Sequence, residues 1–113
     1  MADNCLFCRI VRKEIPARIV AENDDCVAFH DINPQAPVHI LVIPRKHVPS
    51  VASVDGPALV GKLTSFATDL ARREGIAESG YRLVINNGRD AGESVPHLHI
   101  HLLGGRSLLW PPG

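Results

Sequence analysis

An excess of charge of either sign is missing from this chain of 113 residues, in which 12 Lys and Arg balance 12 Asp and Glu. That balance excludes the basic footprint that duplex nucleic acid demands, so no nucleic-acid partner is expected. Long apolar runs are missing too. No stretch approaches the roughly 18 residues of a membrane span, and the N-terminus shows no basic segment leading into an apolar one, so a soluble, cytoplasmic protein with no membrane partner is expected. Cysteine is sparse, with three residues in all. An odd number excludes a simple disulfide framework, and the two-residue gap in Cys5-Leu6-Phe7-Cys8 reads better as half of a metal site. Cys26, inside an apolar run, is expected to fill the core. Repeats, low-complexity tracts and linkers are absent, and the length suits one domain over residues 1–113.

Residues 6–13 read as a short helix stopping before Ile15-Pro16, because the residue before a proline is pushed out of helical geometry. Runs at 18–22 and 26–30, joined by Asn23-Asp24-Asp25, read as a hairpin. Residues 39–43 form a strand, and Asp31 to Pro37 a rigid loop before it. Leu59, Val60, Leu63, Phe66, Ala67, Leu70 and Ala71 repeat at three- and four-residue spacing, with Pro57 near the start and Gly75 past the end, which predicts one long helix. Strands follow at 81–87 and 97–103. Five strands and one long helix, without the crossover helices of a doubly wound fold, predict an α+β domain: an antiparallel five-stranded sheet with one long helix and a short N-terminal helix.

The last strand carries the chemistry. Successive strand residues face opposite ways, so His97, His99 and His101 share one face while Leu98, Ile100 and Leu102 share the other. Three desolvated imidazoles without partners are costly, since each ring has a donor and an acceptor to satisfy. A single histidine on such a face is usually just a wet polar residue; three in register argue for a task. One metal ion would have to draw together ligands spread over about 13 Å of strand. A nucleophile flanked by groups that orient it and hold phosphate charge needs no such convergence, and imidazole can attack phosphorus and leave again near neutral pH. Gly92-Glu93-Ser94-Val95, just upstream, offers backbone N–H groups and a hydroxyl where a phosphate next to His99 could be held.

Ser94-Val95-Pro96-His97-Leu98-His99-Ile100-His101-Leu102-Leu103 resembles the motif of the histidine triad (HIT) superfamily. Gly104-Gly105-Arg106 and the ending Trp110-Pro111-Pro112-Gly113 resemble its Hint branch, the purine nucleoside phosphoramidases, and segments such as Arg12-Lys13-Glu14-Ile15-Pro16-Ala17 extend the likeness along the chain. The resemblance implies that His99 is the nucleophile and becomes transiently nucleotidylated before water releases a nucleoside monophosphate. It implies that His101 contacts the phosphate, that His97 and His39 orient or relay protons behind the nucleophile, and that Ser94 bonds the phosphate or assists the leaving amine. Phe29, Asp31 and Ile32 match its nucleoside pocket, an apolar wall beside a carboxylate suited to ribose hydroxyls. Asn86 matches its ribose or phosphate contact, and Gly92 and Glu93 adjoin the phosphate. The partners implied are an AMP- or GMP-type purine nucleotide and a second copy of the chain, with the C-terminal tail reaching the partner's site.

Two departures stand out. Glu93 replaces a glutamine common in the family, and a carboxylate there repels phosphate unless it is protonated or turned away. Cys5 and Cys8, with His47 and His97, would complete a structural Cys₂His₂ zinc site; His39 is the competing fourth ligand, set aside because it is better used behind the nucleophile. No cofactor is required for catalysis. Against the enzyme stand a nucleotide-binding module with little turnover, a dinucleoside polyphosphate hydrolase, and a redox or zinc-storage protein built on the two cysteines.

Overall fold

The computed structural model describes residues 4–113. Its elements run α1 (Leu6–Val11), β1 (Ile19–Glu22), β2 (Cys26–His30), β3 (Val38–Pro44), α2 (Ala58–Arg73), β4 (Tyr81–Val84) and β5 (Ile100–Gly104), with 3₁₀ turns at Val51–Ser53 and Arg89–Ala91. The strands form one antiparallel sheet in the order β1-β2-β3-β5-β4. The fold is therefore the expected α+β domain.

Local chemistry accounts for the main junctions. Asn23 closes the β1–β2 hairpin by accepting from the Asp25 and Cys26 amides at 2.9 and 2.7 Å, as a short amide side chain at a turn does. At the C-terminus of α2, Gly75 takes φ 75°. Its N–H donates to the Arg72 carbonyl and that of Ile76 to the Ala71 carbonyl, a Schellman closure that only a residue at ease with positive φ allows. Ile76 is thereby buried, and Gly104 of β5 lies so close that a Cβ there would meet Ile76 Cδ1 at 2.5 Å.

The sheet is covered on both faces. On one, α2 lays Leu63, Ala67, Leu70 and Ala71 against Cys26, Ala28, Ile40, Val42, Ile100 and Leu102. On the other, Phe7, Cys8 and Ile10 of α1 pack on Val27, Phe29, Leu41 and Ile43. Adjacent residues of β2 and β3 thus alternate between the two layers, as the pleat requires. Cys26 is core filling, as expected.

Three boundaries differ from the sequence reading by two residues or more. The last strand begins at Ile100 rather than His97, because its ladder with β3 ends at the Val42–Ile100 pair and Pro44, two residues on, has no N–H to extend it; residues 97–99 are held by isolated bonds, His97 N–H to the Val95 carbonyl and Leu98 N–H to the Val48 carbonyl. β4 stops at Val84 rather than 87, since its final partner on β5 is His101 and only Ile100 of that strand lies beyond it. The N-terminal helix ends at Val11, and Lys13 leaves it with φ 62°.

Candidate active site

A cavity of about 650 Å³ opens on the α1 side of the sheet, within the size range of small-molecule sites. Leu6, Phe7 and Ile10 line it from α1, Phe29, Asp31 and Ile32 from the end of β2 and its loop, and Ser94, Val95, His99 and His101 from the terminal segment. Phe29 serves both core and cavity, being 4 % exposed, whereas Ile32 is wholly exposed at the rim.

The proton positions on the histidines follow from their partners. A carbonyl can only accept, so His99, 2.7 Å from the His97 carbonyl through Nδ1, carries a proton there, and in the neutral ring Nε2 is then the bare nitrogen. A backbone amide can only donate, so the Gln35 N–H, 3.0 Å from His39 Nδ1, fixes the His39 proton on Nε2. That proton points at His101 Nδ1, 2.9 Å away, with Asp31 Oδ2 at 3.4 Å. His101 Nδ1 is then an acceptor and its Nε2 a donor. The chain Gln35, His39, His101 thus leaves Nε2–H of His101 as a donor on a ring whose centroid lies 5.0 Å from that of His99. Burial, with His99 and His39 as further causes, pushes the His101 pKa down to about 4, and burial lowers that of His39. Both rings are neutral at physiological pH. The desolvation cost anticipated for three imidazoles is met in full: among the described residues, no buried side-chain nitrogen or oxygen lacks a partner.

His97 requires a correction. Its ring relays no proton to His99: Nε2–H donates to the Pro44 carbonyl at 2.9 Å, and Nδ1 lies 3.3 Å from Cys5 Sγ, 3.5 Å from Cys8 Sγ and 3.3 Å from His47 Nδ1. Only its backbone carbonyl supports His99. His47 Nδ1 is in turn 3.2 Å from Cys8 Sγ. For zinc bonded at about 2.3 Å to sulfur and about 2.05 Å to nitrogen, tetrahedral edges are about 3.3 Å (N to N) and about 3.6 Å (S to N). The N-to-N separation matches and the three S-to-N separations fall within about 0.4 Å of the edge; with an available lone pair on His97 Nδ1, this cluster fits a tetrahedral zinc. None of the three cysteines is in a disulfide. A second grouping, Asp31, His39 and His101, is also compact. It suits a metal poorly, because His39 Nε2 bears a proton that the Gln35 amide holds in place.

Other expectations fare unevenly. Ser94 is exposed at the cavity wall. Asn86, Gly92 and Glu93 are not among the residues lining it. Glu93 instead turns back into its own loop, where its carboxylate accepts from the Gly88 amide at 2.9 Å, and Gly92 takes φ 83° in the same turn. Sequence reasoning missed Leu6, Phe7 and Ile10. Phe7 meets His99 edge-on at 5.1 Å and 88°, and the signal that could have found it is the pair of ligand-type cysteines that bracket it.

The HIT domain family profile matches residues 12–108. An uncharacterized HIT-like protein of Synechocystis is 52 % identical over the full length of both chains, and one of Synechococcus elongatus is 53 % identical, again over both in full. A HIT family hydrolase from Legionella pneumophila superposes with TM-score 0.95 at 48 % identity, covering 97 % of this chain and all of that one. A zinc-bound histidine triad family protein from Mycobacterium smegmatis superposes with TM-score 0.82 at 28 % identity, over 94 % of this chain and 78 % of that one. The architecture here is thus that of HIT family hydrolases, and no helix among the described residues is long and apolar enough to cross a membrane.

Proposed function

The chain belongs to the HIT domain family, and from that premise we propose that it is a purine nucleoside phosphoramidase of the Hint type, with His99 as nucleophile. The observation that carries the reading is the His99 Nδ1–H bond to the His97 carbonyl, which leaves Nε2 as a lone-pair nitrogen on a ring that lines the cavity. In the reaction, His99 Nε2 bonds to phosphorus as the P–N bond breaks, and the amine departs with a proton passed from solvent through the Ser94 hydroxyl. Water then bonds to phosphorus as the P–Nε2 bond breaks, its proton returns to solvent, and the nucleoside monophosphate is released. His101 Nε2–H hydrogen-bonds a phosphoryl oxygen as charge builds, and the exposed Ser94 hydroxyl meets the leaving nitrogen. Phe29, Ile10 and Leu6 offer an apolar bed for a purine, and Asp31 a carboxylate for the ribose hydroxyls. The Glu93 carboxylate, tied to Gly88, is turned away from this cavity, which removes the objection to a phosphate at Ser94.

The Cys5, Cys8, His47 and His97 cluster holds a structural zinc in this reading, supported by the donor geometry and by the zinc-bound mycobacterial relative; no cofactor takes part in the chemical step. A homodimer is part of the reading as well, supported by Leu109 and Trp110, which are 77 % and 81 % exposed on the single chain. Size-exclusion chromatography with light scattering tests it.

Hydrolysis of adenosine 5′-phosphoramidate, followed as AMP release, tests the activity. Wild type should turn over, and His99→Ala should lose at least about 10³-fold in kcat, as removal of a nucleophile does, while still binding AMP. Wild-type turnover by that variant would refute the assignment. Tight AMP binding by wild type without turnover would favour a binding module.

A further inference from the structure

The metal cluster and the cavity share two pieces of chain. His97 turns its ring into the cluster and its carbonyl to His99. Phe7 lies between Cys5 and Cys8 in sequence and packs its ring against three others: His99 at 5.1 Å, Phe29 at 5.4 Å and His97 at 5.9 Å. His99 itself precedes the sheet ladder, which begins at Ile100. Between Pro96 and Ile100 the main chain is held by the bonds to Val95 and Val48, the second of which, from Leu98 N–H, fixes the peptide plane that carries the His97 carbonyl; the ring of His97, held by the Pro44 carbonyl on one side and the cluster on the other, is the side-chain restraint on that carbonyl.

We propose that the Cys5, Cys8, His47 and His97 cluster, when it holds zinc, is a latch that sets the position and tautomer of His99, with Phe7 and the His97 carbonyl as its positioning groups; this rests on the reading of His99 as the nucleophile. The logic is geometric. An imidazole released from the carbonyl carries its proton on either nitrogen, and only the Nδ1–H form leaves Nε2 able to bond. Opening the cluster leaves the His97 ring tied to the Pro44 carbonyl alone and lets the segment bearing Phe7 move off His99, so both restraints weaken together. The metal takes no part in bond making; it holds the residue that holds the nucleophile. Partners at this remove are worth about 10- to 100-fold in activity in other metal sites.

The test uses the full chain labelled with ¹⁵N in histidine, at one neutral pH, in three states: zinc-loaded, stripped with a chelator, and reloaded. Long-range ¹H–¹⁵N spectra read the His99 tautomer, with the His99→Gln spectrum for assignment. The loaded protein should show the Nδ1–H form alone, the stripped protein a mixture of both forms, and the reloaded protein the first spectrum again. In parallel, kcat should fall about 10- to 100-fold on stripping, with KM changed less than about twofold. Phe7→Leu keeps all four ligands and an apolar side chain; with zinc bound it should show the same spectral change in smaller degree. An unchanged His99 spectrum in the stripped, folded protein overturns the proposal, as does failure of the chain to take up zinc. Should stripping unfold the protein, zinc-loaded Phe7→Leu decides, and an unchanged spectrum there overturns it. The tautomer readout needs no turnover, so a chain without phosphoramidase activity still answers the question.

Discussion

Replacing His39 with leucine isolates the chain that orients His101. His39 is 5 % exposed and contributes no atom to the cavity lining, yet its Nε2–H fills the acceptor nitrogen of His101 at 2.9 Å. In the variant, His101 Nδ1 has no donor, and the ring can present either nitrogen to the phosphate. An internal hydrogen bond contributes about 0.5–1.5 kcal/mol, so phosphoramidate hydrolysis should fall about 2- to 13-fold in kcat/KM. His101→Leu removes the donor outright and should cost about 10²- to 10³-fold. His39 reaches the reacting groups through His101, while its contact with Asp31 at 3.4 Å bears on ribose binding and so on KM; in kcat the double variant should therefore match His101→Leu alone, with a coupling energy as large as the whole His39 effect on kcat. The assay is steady-state AMP release at neutral pH on all four proteins. Thermal melts accompany it, because the exposed Gln35 amide loses its partner to water in both His39 variants. If the two losses multiply instead, His39 has a role of its own and the relay drawn from the Gln35 amide is wrong.

Three further outcomes concern stability. Gly104→Ala sets a Cβ against Ile76 at 2.5 and 3.2 Å and should destabilise by about 1–3 kcal/mol through overpacking, measured by urea unfolding. Leu63→Ala, at a wholly buried position between α2 and the sheet, should cost about 2–5 kcal/mol. As for pH, the unfolded chain protonates His39 and His101 near about 6.5, while the folded chain holds both lower, His101 at about 4. Between those values the unfolded state binds more protons, so stability should drop as pH falls from 6.5 towards 4. Urea midpoints at pH 7.5, 6 and 5 read this directly, and a flat series would refute the neutral assignment of the two rings.

How much of this was legible beforehand depends on the range of the determining contacts. The alternation of His97, His99 and His101 with Leu98, Ile100 and Leu102 is local, and the oily face packs against α2 as its spacing implies. The long helix was equally legible, since its apolar stripe and its Gly75 closure lie within one segment. Legibility fails where the partner is distant or is main chain. Nothing in the pattern around Phe7 says that α1 folds across the sheet to touch a residue more than ninety positions later. Glu93 looked like a charge facing phosphate because its nearest acceptor-hungry group, the Gly88 amide, becomes a neighbour only once the loop closes.

The three histidines make the same point at the level of chemistry. They are equivalent by sequence and by face, and their bonding differs because each meets a different obligate partner. His99 meets a carbonyl, which must receive a proton, and so keeps its outer nitrogen bare. His101 meets the proton-bearing nitrogen of His39, and so presents a donor. His97 meets a carbonyl through Nε2, and so turns its lone pair to two thiols and the imidazole of His47. A bare nitrogen beside a donor, backed by a ring whose lone pair faces two thiols, arises here without any difference in side-chain type. The differentiating information resides in Gln35 N–H and in the carbonyls of Pro44 and His97, groups every residue possesses, which is why only the fold could assign them.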